Sequence, residues 1–411
     1  MFDIISGRLA FLRLTMLLSA ITLMGIGMLC IYAAQPEENF WIKQLVYIII
    51  GLVGFLSVNS LHYRLLGPLS YWLYGIIIIL LGVLLLGKFL PMPEFWRSIV
   101  PVINGSRRWI RIAGIQVQPS EFCKIAYILS LSWYLRYRSN YRTLKGLIGP
   151  FGLTLLAMML IILEPDLGTV LLMMPILFAT LFAAGAKKWH LITIILLGVL
   201  ASPLLWMNMH AYQRMRIASV LLQNDKIYNA AKNNEKLAEA LAGSSANLIR
   251  WKRDKGYHLM HSKQAIASGG VFGYGFGKGP YLSGDSLHLP EAHNDFIFAL
   301  IAHQWGLVGC LFVFFLYCII AACGLEIAWN NTDPYGRLIA IGIVAMLMVQ
   351  VVVNTSMTMG LMPITGLTLP LVSYGGSSLI VNMIAVGLLN NIGRDRPFII
   401  GMPSFEFDGK K

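Results

Sequence analysis

Apolar runs that are long enough to cross a lipid bilayer constrain this chain more than any other feature. The first covers residues 12–34, and similar runs recur along most of the 411 residues. A helix needs about 20 residues to cross a hydrocarbon core of about 30 Å. The runs lack the period-two alternation of a membrane barrel, so helices are favoured. Only 12% of the residues are charged, against about 25% in an average soluble domain. The sequence therefore predicts an all-α polytopic membrane protein.

The apolar runs, bounded by charges or by Gly and Pro, predict ten transmembrane helices in one integral membrane domain over residues 1–411. A large loop of about residues 207–294 separates the seventh predicted helix from the eighth, and within it Asp225–Leu248 has the composition of a surface amphipathic helix. The ten helices are predicted to begin near Leu12, Trp41, Trp72, Glu121, Leu147, Leu167, Leu191, Phe296, Leu338 and Leu371.

The distribution of Lys and Arg predicts which loops face the cytoplasm. Arg8 and Arg13 place the start of the chain inside, and an even number of spans returns the tail to the same side. Two connections on the outside are nevertheless basic: the long loop and the segment "NGSRRWIRIAGIQVQPSEFCK". Long loops translocate largely regardless of charge. The short segment is more informative, because arginines beside Trp109 at a membrane surface suit phosphate groups.

An aspartate, Asp295, stands where the long loop enters the eighth predicted helix, in "LPEAHNDFIFA". Its carboxylate can simply favour the positive end of a helix dipole. A carboxylate at a membrane edge is costly, however, and such a group is a functional candidate by default. A general base is the chemistry that we weigh against the dipole interpretation.

Other polar groups lie at similar edges. Glu121 and Lys124 in "QPSEFCK" share a helix face at i, i+3, which is typical of a surface ion pair. The carboxylates of Glu164 and Asp166 in "EPDLGT" suit a capped turn. The segment "MPITGLTLPLVSYGGSS" is too polar for a plain span and predicts a broken re-entrant stretch that lines a cavity, unless its glycines mark close helix packing.

These motifs together resemble the SEDS family (shape, elongation, division and sporulation), the membrane peptidoglycan polymerases of the RodA and FtsW type. "NGSRRW" and "QPSE", then "EPDLGT", then "LPEAHNDFIFA", and finally "PITG" and "LPLVSYGGSS" occur in family order over nearly the whole chain. The resemblance implies a protein of the bacterial cytoplasmic membrane with a large extracytoplasmic loop after the seventh helix. It also implies a glycosyltransferase that polymerises lipid II in elongation or division; the short tails and "LMPITGL" favour the elongation type.

The resemblance further implies roles for individual residues. Asp295 falls on the essential aspartate of the family and is the expected catalytic base, and Trp109 matches a functionally important tryptophan. The other substrate-binding candidates are Arg107, Arg108, Glu121, Lys124, Arg214, Arg216, His293, Ser373 and Ser377. Cationic side chains would stabilise the pyrophosphate leaving group, and a divalent cation, Mg²⁺ or Mn²⁺, is the one cofactor considered. The expected partners are a class B penicillin-binding protein and membrane lipid, without nucleic acid.

The chain departs from the family pattern at three places. His258 and His261 stand where glutamines are common, "HQWG" replaces an acidic signature after the aspartate motif, and residues 229–247 form an insertion without an evident family counterpart. Two other functions remain open at this point. A lipid-precursor transporter would keep its ionisable groups near the membrane midplane, and a non-catalytic scaffold would tolerate the loss of Asp295.

Overall fold

Ten long helices correspond one for one to the ten predicted from the sequence. The computed structural model describes residues 9–35, 37–89, 99–102, 107–112, 115–138, 142–209, 211–253, 255–282, 289 and 292–394. The ten helices are α1 (Ala10–Ala34), α2 (Phe40–Ser60), α3 (Leu66–Phe89), α4 (Pro119–Leu135), α5 (Ile148–Leu163), α6 (Leu167–Ala184), α7 (Lys188–Asn208), α13 (Ile297–Asn330), α14 (Pro334–Thr358) and α15 (Gly376–Ile392). Residues 104–106, 290, 291 and the tail after 394, which the sequence analysis used, lie outside the described residues.

Three of the predicted starts are wrong by more than a turn. The ninth helix begins at Pro334 rather than near Leu338, because the side chain of Asp333 caps it by accepting from the Tyr335 amide. The third helix begins at Leu66 rather than near Trp72, because a short 3₁₀ turn at Tyr63–Leu65 leads directly into it. The tenth begins at Gly376 rather than near Leu371, since Leu371 has a φ of 65°. A right-handed helix cannot include a residue in that left-handed conformation.

Seven of the described helices are long and apolar enough to cross a membrane, and α15 and most of α7 form shorter apolar helices. Their outer faces expose many large apolar side chains, such as Leu200 and Trp329. Helix α14 is the most enclosed of the seven and packs against α13, α6 and α4. This pattern is that of a multi-pass helical bundle with lipid around it.

The long loop contains five short helices, and three of them, rather than the single amphipathic one predicted, cover Asp225–Leu248. They are α8 (Ala211–Leu222), α9 (Asp225–Asn233), α10 (Glu235–Ala242), α11 (Ser245–Arg253) and α12 (Lys255–Gly269). Local capping explains the breaks: the side chain of Asn234 accepts a hydrogen bond from the Leu237 amide at the start of α10, and Gly243 ends that helix at a φ of 79°. Caps of this kind stop one helix and start the next within a few residues.

A glycine-rich segment, residues 270–282, supplies hydrogen-bond partners for the backbone groups at a break in α13. Gly306 interrupts that helix with φ 64° and ψ −158°, a conformation open essentially to glycine alone. The carbonyls of His303 and Gln304 therefore lose their helical partners and accept hydrogen bonds from the amides of Tyr274 and Gly275, at 3.1 and 2.9 Å. The segment and the helix break thus satisfy each other's backbone groups.

Residues 359–375 connect α14 to α15 without regular structure, as predicted for a re-entrant segment. Most of this stretch is buried, and the backbone of Val372 lies directly against Gly27 of α1. At this end of the bundle the start of α4, the turn between α5 and α6, and the start of α13 also meet. An antiparallel hairpin precedes α4. It consists of the strands β1 (Ile110–Ile112) and β2 (Ile115–Val117).

Candidate active site

Asp295 lies two residues before α13 and its carboxylate faces the irregular segment. The position is fixed through the backbone: the side-chain amide of buried Asn354 donates to the Asp295 carbonyl at 2.9 Å. Oδ2 of Asp295 lies 3.4 Å from the point where a side chain at Gly366 would begin. Any side chain at position 366 would therefore meet this half-buried carboxylate.

Arg216 approaches the same segment from α8. Its Nη1 is 3.5 Å from the carbonyl oxygen of Thr365, the residue immediately before Gly366. The guanidinium of Arg216 and the carboxylate of Asp295 thus face Thr365 and Gly366, which are adjacent in the irregular segment. Arg214, which was also predicted as a site residue, is directed elsewhere and donates to the Glu239 carbonyl on α10.

The basic segment before the hairpin is held against two helix ends. Arg107 donates to the carbonyl of Gly87 at the end of α3. Arg108 donates to the carbonyl of Pro165 at 2.7 Å, and its guanidinium lies 5.9 Å from the ring centre of Trp109. The three residues are half-buried. They therefore combine cationic donors with an aromatic face, the arrangement that suits a phosphate-bearing ligand.

Asp166 does more than the capping that the sequence suggested. It accepts hydrogen bonds from the side chains of Gln118 at 3.1 Å, Ser120 at 2.9 Å and Thr169 at 2.9 Å, and also from the Thr169 amide. The network joins the start of α4 to the start of α6. Gly168 in turn lies against the carbonyl of Thr365, so this network borders the segment that Arg216 contacts.

Glu164 lies two residues away in a very different environment. Its side chain is buried, and neither carboxylate oxygen has a hydrogen-bond partner among the described residues. Burial, reinforced by the charge of Asp166 and opposed by Arg108, raises the pKa of Glu164 to about 8. One turn therefore holds a buried carboxylate that accepts hydrogen bonds from protein groups beside a carboxyl group that is protonated near neutral pH.

The ion pair between Glu121 and Lys124 is buried, which corrects its interpretation as a surface pair. Nζ of Lys124 lies 2.6 Å from Glu121 Oε2, and the Lys124 side chain is only 1% exposed. Lys124 stands four residues after Ser120 and therefore on the same helix face as the Asp166 network. A buried pair of this kind is expensive to form and serves position or function rather than solubility.

The remaining predicted residues contact the protein itself. Ser377 accepts from the Gln118 amide at 2.9 Å and donates to the Gln116 carbonyl, so it ties α15 to the hairpin. Ser373 accepts from the Leu369 amide at 2.8 Å within the irregular segment. The ring of His293 stacks on Phe40 at 4.6 Å. These contacts make all three residues supports of the site.

We define the site cluster as Arg108, Asp166, Arg216 and Asp295 with the chain at 365–367 that links them. Sequence reasoning singled out three of the four charged residues but treated Asp166 as a cap and did not mention Asn354. The two carboxylates of "EPDLGT" were the available signal for Asp166. For Asn354, a lone amide in an apolar helix gives no indication of its partner.

Comparisons with known proteins agree along almost the entire chain. A family model for FtsW, RodA and SpoVE, described as "Cell cycle protein", matches residues 8–397. The peptidoglycan glycosyltransferase RodA of Treponema pallidum (strain Nichols) is 32% identical, over 92% of this chain and 96% of that protein. Stage V sporulation protein E of Bacillus subtilis (strain 168) is 30% identical, over 93% of this chain and 96% of its own length.

Solved structures share the fold. A chain from a structure titled "Structural coordination of polymerization and crosslinking by a peptidoglycan synthase complex" aligns with a TM-score of 0.71 at 29% identity, covering 92% of this chain and 97% of that chain. The crystal structure of the rod shape determining protein RodA of Thermus thermophilus aligns with a TM-score of 0.62 at 26% identity, covering 93% and 96%.

Proposed function

Because the chain belongs to the FtsW, RodA and SpoVE family of cell cycle proteins, we propose that it is a peptidoglycan glycosyltransferase that polymerises lipid II into glycan strands. The observation that carries the proposal is the position of Asp295 and Arg216: the carboxylate faces Gly366, and the guanidinium donates to the carbonyl of the preceding residue, Thr365. A glycosyl transfer of this kind needs a base and a cation, and here a carboxylate and a guanidinium lie beside the same short stretch of chain.

Asp295 is the general base of this proposal. It accepts the proton of the GlcNAc 4-hydroxyl on one lipid-linked substrate while that oxygen attacks C1 of MurNAc on the other. The bond between C1 and the pyrophosphate oxygen breaks with inversion, and undecaprenyl pyrophosphate leaves with the electron pair. No covalent enzyme intermediate is required, as in other inverting glycosyl transfers that use a carboxylate base.

The leaving pyrophosphate gains negative charge and needs donors placed in advance. Arg108 and Arg216 are the cations of the site cluster, with Arg107 and Trp109 beside Arg108 and the buried Lys124 behind the Asp166 network. Arg214 is withdrawn from this set, because it donates to Glu239. The Asp166 network holds the start of α4 and keeps the segment at 365–367 in place.

A divalent cation fits the described residues poorly. No group of three or more His, Cys, Asp or Glu side chains that can hold a metal ion occurs in the described part of the chain. Asp166 already accepts four hydrogen bonds. The mechanism above therefore assigns no step to Mg²⁺ or Mn²⁺.

The setting of the protein follows from the same proposal. The chain is a multi-pass membrane protein, and we place it in the bacterial cytoplasmic membrane with both termini in the cytoplasm and the site cluster outside. A class B penicillin-binding protein is the proposed partner, because the structure with a TM-score of 0.71 comes from a synthase complex that couples polymerisation to cross-linking. We favour a role in elongation over one in division.

The test compares wild type with Asp295→Asn in a polymerisation assay on labelled lipid II, with the partner transpeptidase present. Glu326→Gln, an exposed carboxylate in the last turns of α13, is the matched control. We expect the Asn variant to lose about 10²- to 10⁴-fold in rate while folding and binding the partner normally, and the control to retain its rate. Equal rates would remove Asp295 as the base. Absence of glycan from a well-folded wild type would favour the transporter or scaffold.

A further inference from the structure

The insertion in the long loop forms a small folded unit of its own. Helices α8–α11 enclose a separate apolar core, which consists of Ala218, Leu222, Tyr228, Ala231, Ala238, Ala242, Leu248 and Trp251. Because α8 contributes to this core and also carries Arg216, the unit is joined rigidly to the site cluster. The unit is therefore an ordered part of the protein. The mechanism of polymerisation described above assigns it no role.

A cavity of about 210 Å³ lies between this unit and α12. Aromatic rings form much of its lining: Tyr228 and Trp251, which flank the insertion on α9 and α11, and Tyr257 and His261 on α12. The rings of Tyr257 and His261 are in contact, with centroids 4.0 Å apart. Such rings offer flat apolar faces with polar edges. The volume is small for a drug-sized ligand and suits a group of the size of one sugar ring.

Polar groups of the right kind accompany these rings. Gln223 and Gln264 line the cavity. Gln223 already donates to the carbonyls of Val220 and Gly360 and accepts from Lys263. Gln264 is exposed and, among the described residues, uses only its carbonyl oxygen, as acceptor for Tyr281. The indole N–H of Trp251 and Nδ1 of His261 are buried without a hydrogen-bond partner among the described residues. Burial also lowers the pKa of His261, so its ring is neutral. Among these polar groups, the exposed side-chain amide of Gln264 is the one that the lining offers to a ligand.

The charge of the lining separates this cavity from the site cluster. Among the described residues that line it, the formally charged ones are Asp225 and Lys252, whose charges cancel. The site cluster instead brings Arg108 and Arg216 toward a pyrophosphate. An anionic ligand gains nothing from this balanced charge, whereas a neutral ligand rich in hydroxyl and amide groups can bind the aromatic rings and the amide of Gln264.

We infer that this cavity binds a neutral N-acetylated sugar unit of a glycan strand, outside the reaction centre. The inference rests on the proposed function, which supplies such a strand as product. Aromatic faces accept the C–H faces of a pyranose ring, while amide groups pair with its hydroxyl and acetamido groups. Leu222 and Met260, which also line the cavity, can contact the acetyl methyl group.

The cavity is close enough to the site cluster to hold the same strand. His258 lies one turn before His261 on α12, and its ring centre is 6.3 Å from that of Phe296, the neighbour of Asp295. Along α8, Leu222 at the cavity is six residues from Arg216, or about 9 Å. A strand held there stays beside the reaction centre between additions. The folded unit that contains the insertion then increases the length of the glycan strand that the protein makes.

The experiment measures binding of N,N′,N″-triacetylchitotriose to the full-length purified protein by saturation-transfer NMR. The test variant is Tyr257→Ala with Gln264→Ala, because both side chains are exposed and lie outside the core of the insertion. Phe272→Ala is the matched control, since this aromatic side chain of the same loop is 78% exposed and does not line the cavity. We expect the double variant to weaken binding by about tenfold or more and the control to bind as wild type.

Absence of chitotriose binding to wild type, or equal binding by wild type and the double variant, would overturn the inference. Loss of transpeptidase binding in the double variant with saccharide binding unchanged would show a protein interface instead, which also overturns it. Because this assay needs no catalysis, it separates the inference from the proposed function: a wild type that binds chitotriose but makes no glycan refutes the polymerase alone.

A second readout tests the consequence for the product. In the lipid II assay, the double variant should consume substrate at the initial rate of wild type but yield shorter strands, resolved by gel electrophoresis. Phe272→Ala should give strands of wild-type length. Strands of unchanged length from a double variant that no longer binds chitotriose would refute the role in lengthening the product.

Discussion

Asn354 holds Asp295 from a distance of 59 residues. The amide nitrogen of this buried side chain on α14 donates to the Asp295 carbonyl at 2.9 Å and to the Leu367 carbonyl at 2.6 Å. One amide group therefore fixes both sides of the proposed reaction centre, the residue before α13 and the irregular segment that faces it. The position of the carboxylate depends on this bond and on the space that Gly366 leaves.

Asn354→Leu should cost both stability and rate. Two buried carbonyls lose their donor, at about 1–3 kcal/mol each, and Asp295 is released from its position. We expect a lower unfolding temperature and a fall of about 10²-fold in polymerisation, since small displacements of catalytic groups have effects of that size. Thermal unfolding and the lipid II assay measure the two effects.

Gln350→Leu is the control for this substitution, one turn earlier on the same helix. Gln350 is buried, and neither polar atom of its side chain has a hydrogen-bond partner among the described residues. Replacing it should leave the rate unchanged and stability equal or higher. If both leucine variants lose activity equally, the bond to Asp295 has no special importance.

Gly366→Ala should impair the site without disturbing the bundle. Gly366 has a φ of 76°, which costs a residue with a side chain about 1–2 kcal/mol. The added methyl group would also lie 3.4 Å from Oδ2 of Asp295. We expect a rate reduced by about tenfold or more. Gly25→Ala, within α1 and with open space around it, should preserve activity and slightly raise stability.

Lys124→Met should destabilise the protein strongly, because it leaves the Glu121 carboxylate buried beside no cation. Breaking a buried pair costs about 3–5 kcal/mol, whereas replacing both partners is often close to neutral. Glu121→Gln combined with Lys124→Met should therefore recover most of the unfolding temperature. Additive losses in the two single variants and the double variant would contradict a coupled pair.

The double variant should fold but polymerise more slowly than wild type, because it removes the charge of Lys124 from the site.

For the stability measurement, the comparison is the more exposed ion pair between Arg64 and Asp333 at the opposite end of the bundle. Arg64→Ala should change stability by about 1 kcal/mol or less. A similar loss in both pairs would mean that burial of Lys124 has no energetic consequence.

The sequence predicts the helices well because their signal is local. An apolar run bounded by charges specifies a span whatever its neighbours are, and all ten long helices follow from it. The insertion was harder, since the stops at Asn234 and Gly243 depend on single capping residues. The break at Gly306 was not predicted at all, because its backbone groups are satisfied by a segment some 30 residues earlier in the chain.

The site divides in the same way. Asp295 and the arginines stand out as charges at the edge of apolar runs, so sequence reasoning finds them. The difference between Asp166 and Glu164 cannot be predicted from "EPDLGT". Gln118 and Ser120, at the start of another helix, donate hydrogen bonds to Asp166, whereas the oxygens of Glu164 have no partner among the described residues. Burial of Lys124 is equally a property of the assembled bundle.

Glu164 gives the protein a predictable response to pH. The pKa of its carboxyl is raised from 4.5 to about 8 by burial. The protonated form is therefore favoured in the folded state, and its contribution to stability is complete below about pH 4.5 and is lost as the pH rises through about 8. Wild type should lose on the order of 2 to 3 kcal/mol relative to Glu164→Gln between about pH 6 and pH 9.

Thermal unfolding of both proteins across this range measures the effect, because the neutral glutamine keeps the shape of the protonated acid and removes its titration. The difference in unfolding temperature should widen in favour of the Gln variant as the pH rises. The charge of Arg108 opposes the raised pKa of Glu164. Arg108→Gln in both backgrounds should therefore move the midpoint of the widening to higher pH. Parallel curves for wild type and Glu164→Gln would mean that the carboxylate is solvated in the folded protein.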